Sequence, residues 1–251
     1  MKLHLAGVES HLELVSELEP KFLLTSFFTY YKKKTINIPN ADHHILDSGA
    51  YSIQKGKKVV WDEYVDAYIN FIKSNSGISQ YVELDIDCIV GLPLVEQWRN
   101  RFECEIGKPP IVVWHKSMGN DGWRDLCKSY PYVGIPCVNP DEKLDEIYWN
   151  RYITYAHECK CKVHGFGLSA NEKIKKYKFD SCDSTAWASG GRYGARYRFT
   201  GDSIRLYRKD GYLEGCKPNV PLMNKTNMQE WIKFQNYMDC FKHEEYNHGF
   251  W

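Results

Sequence analysis

The sequence predicts an α/β fold, a (β/α)8 TIM barrel with a C-terminal elaboration, from three observations. Eight short apolar runs punctuate the 251-residue chain, most of them rich in β-branched or aromatic residues. Amphipathic, helix-like stretches separate the runs, the alternation expected of βα units. Most runs end on Asp, Ser, Gly or His, and barrel strands deliver their last residues to the active-site face. A doubly wound open sheet is the rival arrangement of the same elements.

The first run, Leu3–Gly7, leads into LAGVES; a binding role for Glu9 there has no support from pattern alone. The second, Phe22–Ser26, precedes a segment ending in Lys32, Lys33 and Lys34, a cationic run suited to a solvated helix C-terminus. The third, His44–Asp47, opens into LDSGAYS. Trp61–Lys73 then places Tyr64, Val65, Tyr68, Ile69 and Ile72 on one helical face. The fourth run, Tyr81–Asp87, precedes a helix at Leu94–Ile106, and the fifth, Pro110–His115, a helix at Trp123–Tyr130. The sixth, Tyr132–Cys137, is followed by a helix at Asp141–His157, which Asn139-Pro140-Asp141-Glu142 starts with acid in its first turn. Lys162–Gly167 and Tyr177–Asp183 complete the set, and a last helix is expected near Met228–Phe241. The chain reads as one domain over 1–251, with a barrel core at about 1–190 and an Arg- and aromatic-rich elaboration at about 191–251.

A formal net charge of +1 excludes a histone-like binder and leaves room for a local basic face. No apolar run reaches membrane-span length, and the first residues lead into a strand rather than a signal peptide. Nine cysteines at irregular spacing fit reduced thiols and a cytoplasmic setting. Cys104, Cys127 and Cys240 fall within apolar helical patterns and read as core residues. His157, Cys159, Cys161 and His164 look like a metal cluster, but a helix-to-strand junction does not bring four such side chains to one point, so no metal is expected there.

In a barrel, strand three ends at Asp47, four at Asp85 and Asp87, five at His115 and eight at Asp183. One Asp after a strand is ordinarily a turn or cap residue; several converging on one mouth make a site. Two chemistries suit them. One carboxylate can attack a glycosidic carbon while another acts as acid and base, or Asp and His can hold a divalent metal that activates water. Composition does not separate the two.

Five stretches, LDSGAYS, YVELDID, PPIVVWHKS with YPYVGIPCV, KVHGFGLS and FDSCDSTAW, occur over about residues 1–190 in a telling order. That order and spacing resembles the tRNA-guanine transglycosylase superfamily, most closely its small DNA-acting branch, the 7-deazaguanine DNA transglycosylases (DpdA-like proteins) of bacteria and phages. The resemblance implies exchange of guanine in DNA for a 7-deazaguanine base such as preQ0, through a covalent sugar-aspartate. Asp183 matches the nucleophile, with Asp180 as alternative, and Asp47 matches the general acid and base. Asp85, or Asp87 two residues along, matches the base-recognition aspartate. Tyr51 falls where the family stacks an aromatic on the base, and His164 on the base's other side. Ser48 and Gly49 match small residues that let backbone approach substrate. His115 replaces a base-binding Gln, and Pro136-Cys137 replaces a common Gly-Gly beside the base's carbonyl.

No cofactor is implied, since the free 7-deazaguanine base is a substrate. The zinc-binding Cys-x-Cys-x-x-Cys…His of the tRNA enzymes has no counterpart after Asp183, where only Cys216 and Cys240 remain, so DNA is favoured over tRNA as partner. Arg192, Arg196, Arg198, Arg205, Arg208 and Lys209, interleaved with Tyr193, Tyr197, Phe199 and Tyr207, are expected to contact nucleic acid rather than form a merely solvated loop. The rival functions are a tRNA-acting enzyme, a metal-dependent barrel hydrolase using Asp47, Asp85, Asp87 and His115, and a catalytically silent nucleic-acid-binding barrel.

Overall fold

A computed structural model describes residues 1–33, 38–138, 143–189, 194–208 and 219–243. Its main sheet contains β1 (Lys2–Ala6), β2 (Phe22–Ser26), β3 (His43–Asp47), β4 (Gln80–Tyr81), β5 (Val112–Val113), β6 (Tyr132–Pro136), β7 (Lys162–Phe166) and β8 (Ser181–Ser184). These eight strands run parallel in the order β4-β3-β2-β1-β8-β7-β6-β5. Every sequential pair except β4 and β5 lies side by side, β8 joins β1, and the sheet is curled.

Between strands lie α1 (Leu12–Leu18), α2 (Phe27–Lys33), α3 (Ala50–Gln54), α4 (Trp61–Ser74), α5 (Asp87–Val90), α6 (Leu92–Ile106), α7 (Gly119–Ser129), α8 (Trp149–Glu158) and α9 (Asn171–Lys176). Strand alternation sorts the core into two shells. Ala6, Leu24, Ile45, Val82, Ile111, Val113 and Tyr132 form one buried cluster inside the curl. Leu5, Leu23, Val112, Val133 and Val163 face outward and pack under helices. On α4 all five residues of the expected face are buried. Tyr68 also shares its one hydroxyl proton between the Leu46 and Val82 carbonyls, at 3.0 and 2.8 Å, tying β3 to the residue after β4.

The sheet does not close through a continuous ladder. Its edges meet at one parallel bridge, Val82 to Ile111, where Ile111 N–H donates to the Tyr81 carbonyl and Glu83 N–H to that of Ile111. Pro109 and Pro110 remove amide donors just before the bridge. Tight bonds from Asp85 N–H to the Glu83 carbonyl, and from Ile86 N–H to that of Leu84, bend the other strand away just after it. A side chain takes over the seam: Glu83 accepts from Val113 N–H at 2.6 Å and from Arg99 Nε at 2.7 Å.

The last helix, α10 (Val220–Cys240), starts earlier than its apolar pattern suggests, with Asn219 Oδ1 accepting from Leu222 N–H and Pro221 in the first turn. Buried Gln235 on α10 donates to the Leu3 and Phe22 carbonyls, both at 2.8 Å, and accepts from Lys21 N–H. Gln235→Leu retains volume but strands these groups, so stability is expected to fall by about 2–4 kcal/mol. An unchanged urea midpoint would show that the helix docks without this clasp.

Other boundaries shift. The eighth strand begins at Ser181, because Tyr177 and Phe179 turn aside to pack on Trp149. Asp87 begins α5 instead of continuing the strand. Cys127 is buried as expected, whereas Cys104 and Cys240 are exposed on their helices' outer faces. The Asn139–Glu142 helix start lies outside the described residues. After β8 the chain forms an antiparallel hairpin, β9 (Ala195–Phe199) and β10 (Ile204–Arg208), which alternation of Arg with aromatics had not marked as strand. Among the described residues no helix is long and apolar enough to cross a membrane.

Candidate active site

Asp183 is the third residue of β8, with its side chain 10% exposed. Its Oδ1 accepts from Gly167 N–H at 2.8 Å, just beyond β7, and lies 3.3 Å from His164 Nε2. Two neighbours on the adjacent strand thus hold the carboxylate in one orientation. Asp180 lies at the opposite end of the sheet, where it accepts from Val163 N–H and pairs with His157 at 2.9 Å, and its carbonyl receives Lys2 N–H. It is remote from the strand ends that carry the other acids.

Asp47 ends β3, where the chain makes a tight turn. Its Oδ2 accepts from Gly49 N–H at 2.8 Å. Gly49 has φ +85°, and a Cβ there would stand 2.4 Å from Phe28 Cβ, so conformation and space both demand glycine. Burial pushes the Asp47 carboxyl up to about 7; the Gly49 amide opposes this, and the charges of Asp183, Asp85 and Glu9 add to the rise. Acids separated by 38 and 136 residues in sequence therefore act on one carboxyl.

Asp85 forms a close ion pair with His115 Nε2, and Asp87 Oδ1 lies 3.7 Å from the same nitrogen. Burial, the largest influence on His115, lowers its pKa, but Asp85, then Asp87 and Glu83, together lift it to about 9. The imidazole is therefore a cation at neutral pH, a donor without an acceptor. Asp85→Asn leaves the burial and removes the main partner, so His115 is expected to titrate at or below its ordinary 6.5 in an NMR pH series. Retention of a value near 9 would assign its charge to Asp87. Ligand atoms of Asp85, Asp87 and His115 all lie within 4.8 Å of one another, the one such group among the described residues.

Around these acids stand the smaller expected residues. Ser48 is fully buried with its hydroxyl unpartnered, and its carbonyl accepts from Tyr64 Oη at 2.5 Å. Tyr51 is 69% exposed at the start of α3, with Lys55 Nζ 5.4 Å from its ring centre. Cys137 is partly exposed after β6; burial and then the Asp183 charge push its thiol up.

One expected role is corrected. His164 has no exposed surface, because its ring is enclosed between Ser181, Asp183, His4 and Phe166 and offers no face for a base to stack on. It supports Asp183 from below. Phe166, two residues on and on the same side of β7, is partly exposed and meets His164 edge-on at 4.4 Å. Glu9, for which pattern alone gave no binding role, is buried beyond β1 and accepts from Ser26 N–H. His157, Cys159 and Cys161 do not join His164: His157 pairs with Asp180, and Cys161 packs with the outer core.

Elsewhere, a cavity of about 310 Å³ opens beside α1 against Ile38, Pro39 and Asn40, away from the acids. Arg196, Arg198 and Arg205 are exposed on the hairpin, and Arg208 ends β10. Arg192 and Lys209 lie outside the described residues. No family model, curated protein or solved structure matches this chain.

Proposed function

We propose that the protein is a DNA-guanine transglycosylase that replaces guanine with a 7-deazaguanine base such as preQ0, working from the mouth of a (β/α)8 barrel whose last seam is a single bridge. The observation that carries this reading is the pairing of Asp47, held near neutrality, with an amide-oriented Asp183 close enough to influence it. Two acids with different tasks are what glycosidic exchange requires.

Asp183 attacks C1′ of the target nucleotide from the face opposite the base, and the C1′–N9 electrons leave with guanine. Protonated Asp47 supplies the proton that makes guanine a better leaving group. The aspartyl ester then receives the incoming base: its N9–H proton passes to ionised Asp47, N9 attacks C1′, and Asp183 is released. Base edge recognition falls to the Asp85–His115 pair. Asp85 accepts from N1–H and the exocyclic amine, while cationic His115 donates to the carbonyl oxygen, a pattern adenine does not present. Extruding the base costs a few kcal/mol. Stacking on exposed Tyr51 and on Phe166, in place of His164, returns about 1–3 kcal/mol per contact.

The test is mass spectrometry of nucleosides from DNA and from tRNA, each incubated with protein and candidate 7-deazaguanine bases. Modified deoxynucleoside supports the reading, modified ribonucleoside alone turns it to the tRNA-acting alternative, and neither product rejects it. A second reading has one observation behind it, the convergence of Asp85, Asp87 and His115. A divalent ion there would displace the His115 proton and activate water for hydrolysis. Hydrolysis lost to a chelator and restored by added metal would favour that reading; chelator-resistant base exchange excludes it.

A further inference from the structure

The β9–β10 hairpin divides its side chains by face. Tyr197 and Phe199 pack inward, with ring centres 5.5 Å from Trp231 and 5.8 Å from Tyr237, and Ile204 opposite Phe199 is buried. The alternate residues Arg196, Arg198, Arg205 and Tyr207 therefore share the solvent face, and all four are exposed. In the ladder Arg198 stands directly opposite Arg205, and Arg196 opposite Tyr207. Like charges in direct cross-strand register destabilise a hairpin unless something anionic lies over them.

Among the described residues neither arginine makes an ion pair. The two acids whose charge states they influence are engaged elsewhere: Asp202 pairs with Lys175 at 3.1 Å, and Glu230 pairs with Lys233 and accepts from Phe199 N–H. The hairpin is also rigidly seated. Asn227 on α10 accepts from Tyr197 N–H and donates to the Ala195 and Trp187 carbonyls, while Trp187 Nε1 donates to the Ala6 carbonyl at the end of β1. Its upper end is thus tied to the sheet end that carries Asp183. The arginines run from there down the flank, with Arg196 and Arg198 two residues apart on one strand, about 7 Å along it.

We propose that this face grips the phosphodiester backbone of a single nucleic-acid strand beside its flipped nucleotide, with Arg198 and Arg205 closing on one phosphate and Tyr207 stacking on an unpaired base. The assignment of the flipped nucleotide rests on the transglycosylase reading; the backbone grip does not.

Fluorescence anisotropy with a labelled single-stranded oligonucleotide of about 20 nucleotides tests this. Arg198→Glu/Arg205→Glu is expected to weaken binding by roughly 100-fold and to flatten the log–log salt slope by about 0.7, the share of one phosphate contact. Lys73→Glu/Lys128→Glu, the same charge change on α4 and α7, is expected to bind like wild type. If the reversal variant fails to fold, as judged by thermal melting, Arg198→Gln/Arg205→Gln replaces it. Equal affinity of the hairpin and control variants would overturn the proposal. So would arginine-dependent sedimentation with phosphatidylserine vesicles in the absence of oligonucleotide binding. Arginine-dependent binding without any base exchange would reject the transglycosylase reading and keep this one; exchange with arginine-independent binding would do the reverse.

Discussion

Asp183→Asn is expected to abolish base exchange, lowering the rate by about 10⁴-fold or more, and to remove any covalent protein–DNA adduct. Asparagine keeps the shape and can still accept from Gly167 N–H, which bonds Oδ1 in the native protein. What it loses is the oxygen proposed to attack C1′, so the variant should melt near the wild type while failing to exchange labelled guanine. Trapping on denaturing gels, followed by peptide mass spectrometry, reads the adduct directly. Asp180→Asn makes the discriminating comparison, because Asp180 sits at the far end of the sheet with Val163 and His157. Exchange retained by the Asp183 variant and lost in the Asp180 variant would overturn the assignment.

Asp47→Asn is expected to separate activity from stability. The native carboxyl is raised from 3.8 to about 7, chiefly by burial. A raised carboxyl contributes fully while protonated, below about pH 4, and its contribution is lost as pH climbs through 7. Removing the ionisable group removes that loss. The variant should therefore gain stability over wild type at pH 8, by on the order of 2–4 kcal/mol, and show no such gain near pH 4. Its exchange rate should fall by about 10²–10⁴-fold at every pH. On the proposed mechanism both halves of the reaction use Asp47, once protonated and once ionised, so the rate should peak near neutrality. A wild-type rate that is flat from about pH 5 to 9 would remove Asp47 from proton transfer.

Much of the framework was legible because strands and helices write short periods into a sequence. The α4 face and the strand ends at Asp47 and Asp183 were readable from alternation, 3.6-residue spacing and punctuation by small residues. His164 was misjudged because alternation states which side of a sheet a residue faces and not how deep it lies. His164 and Phe166 both point inward, about 7 Å apart along β7, and only the upper one keeps exposed surface. Glu9 drew no support from pattern because the 3₁₀ helix Val8–Ser10 that carries it is too short to write a period. The seam between β4 and β5 escaped because a carboxylate, Glu83, does the bonding that a ladder of amides would otherwise do.

By itself the sequence determined many of the local pieces, among them the strand ending at Asp47, the α4 face and the small-residue turn at Gly49, though it did not mark β9 and β10 as strands. Only the tertiary structure decided that Glu9, Asp47, Asp85 and Asp183 share one region, that Asp85 lifts the His115 pKa to about 9, and that Arg196, Arg198 and Arg205 share one exposed hairpin face. The physical reason is that acidity and charge pairing depend on separation in space and on contact with water. Neither distance nor solvent access is a property of neighbouring residues along a chain.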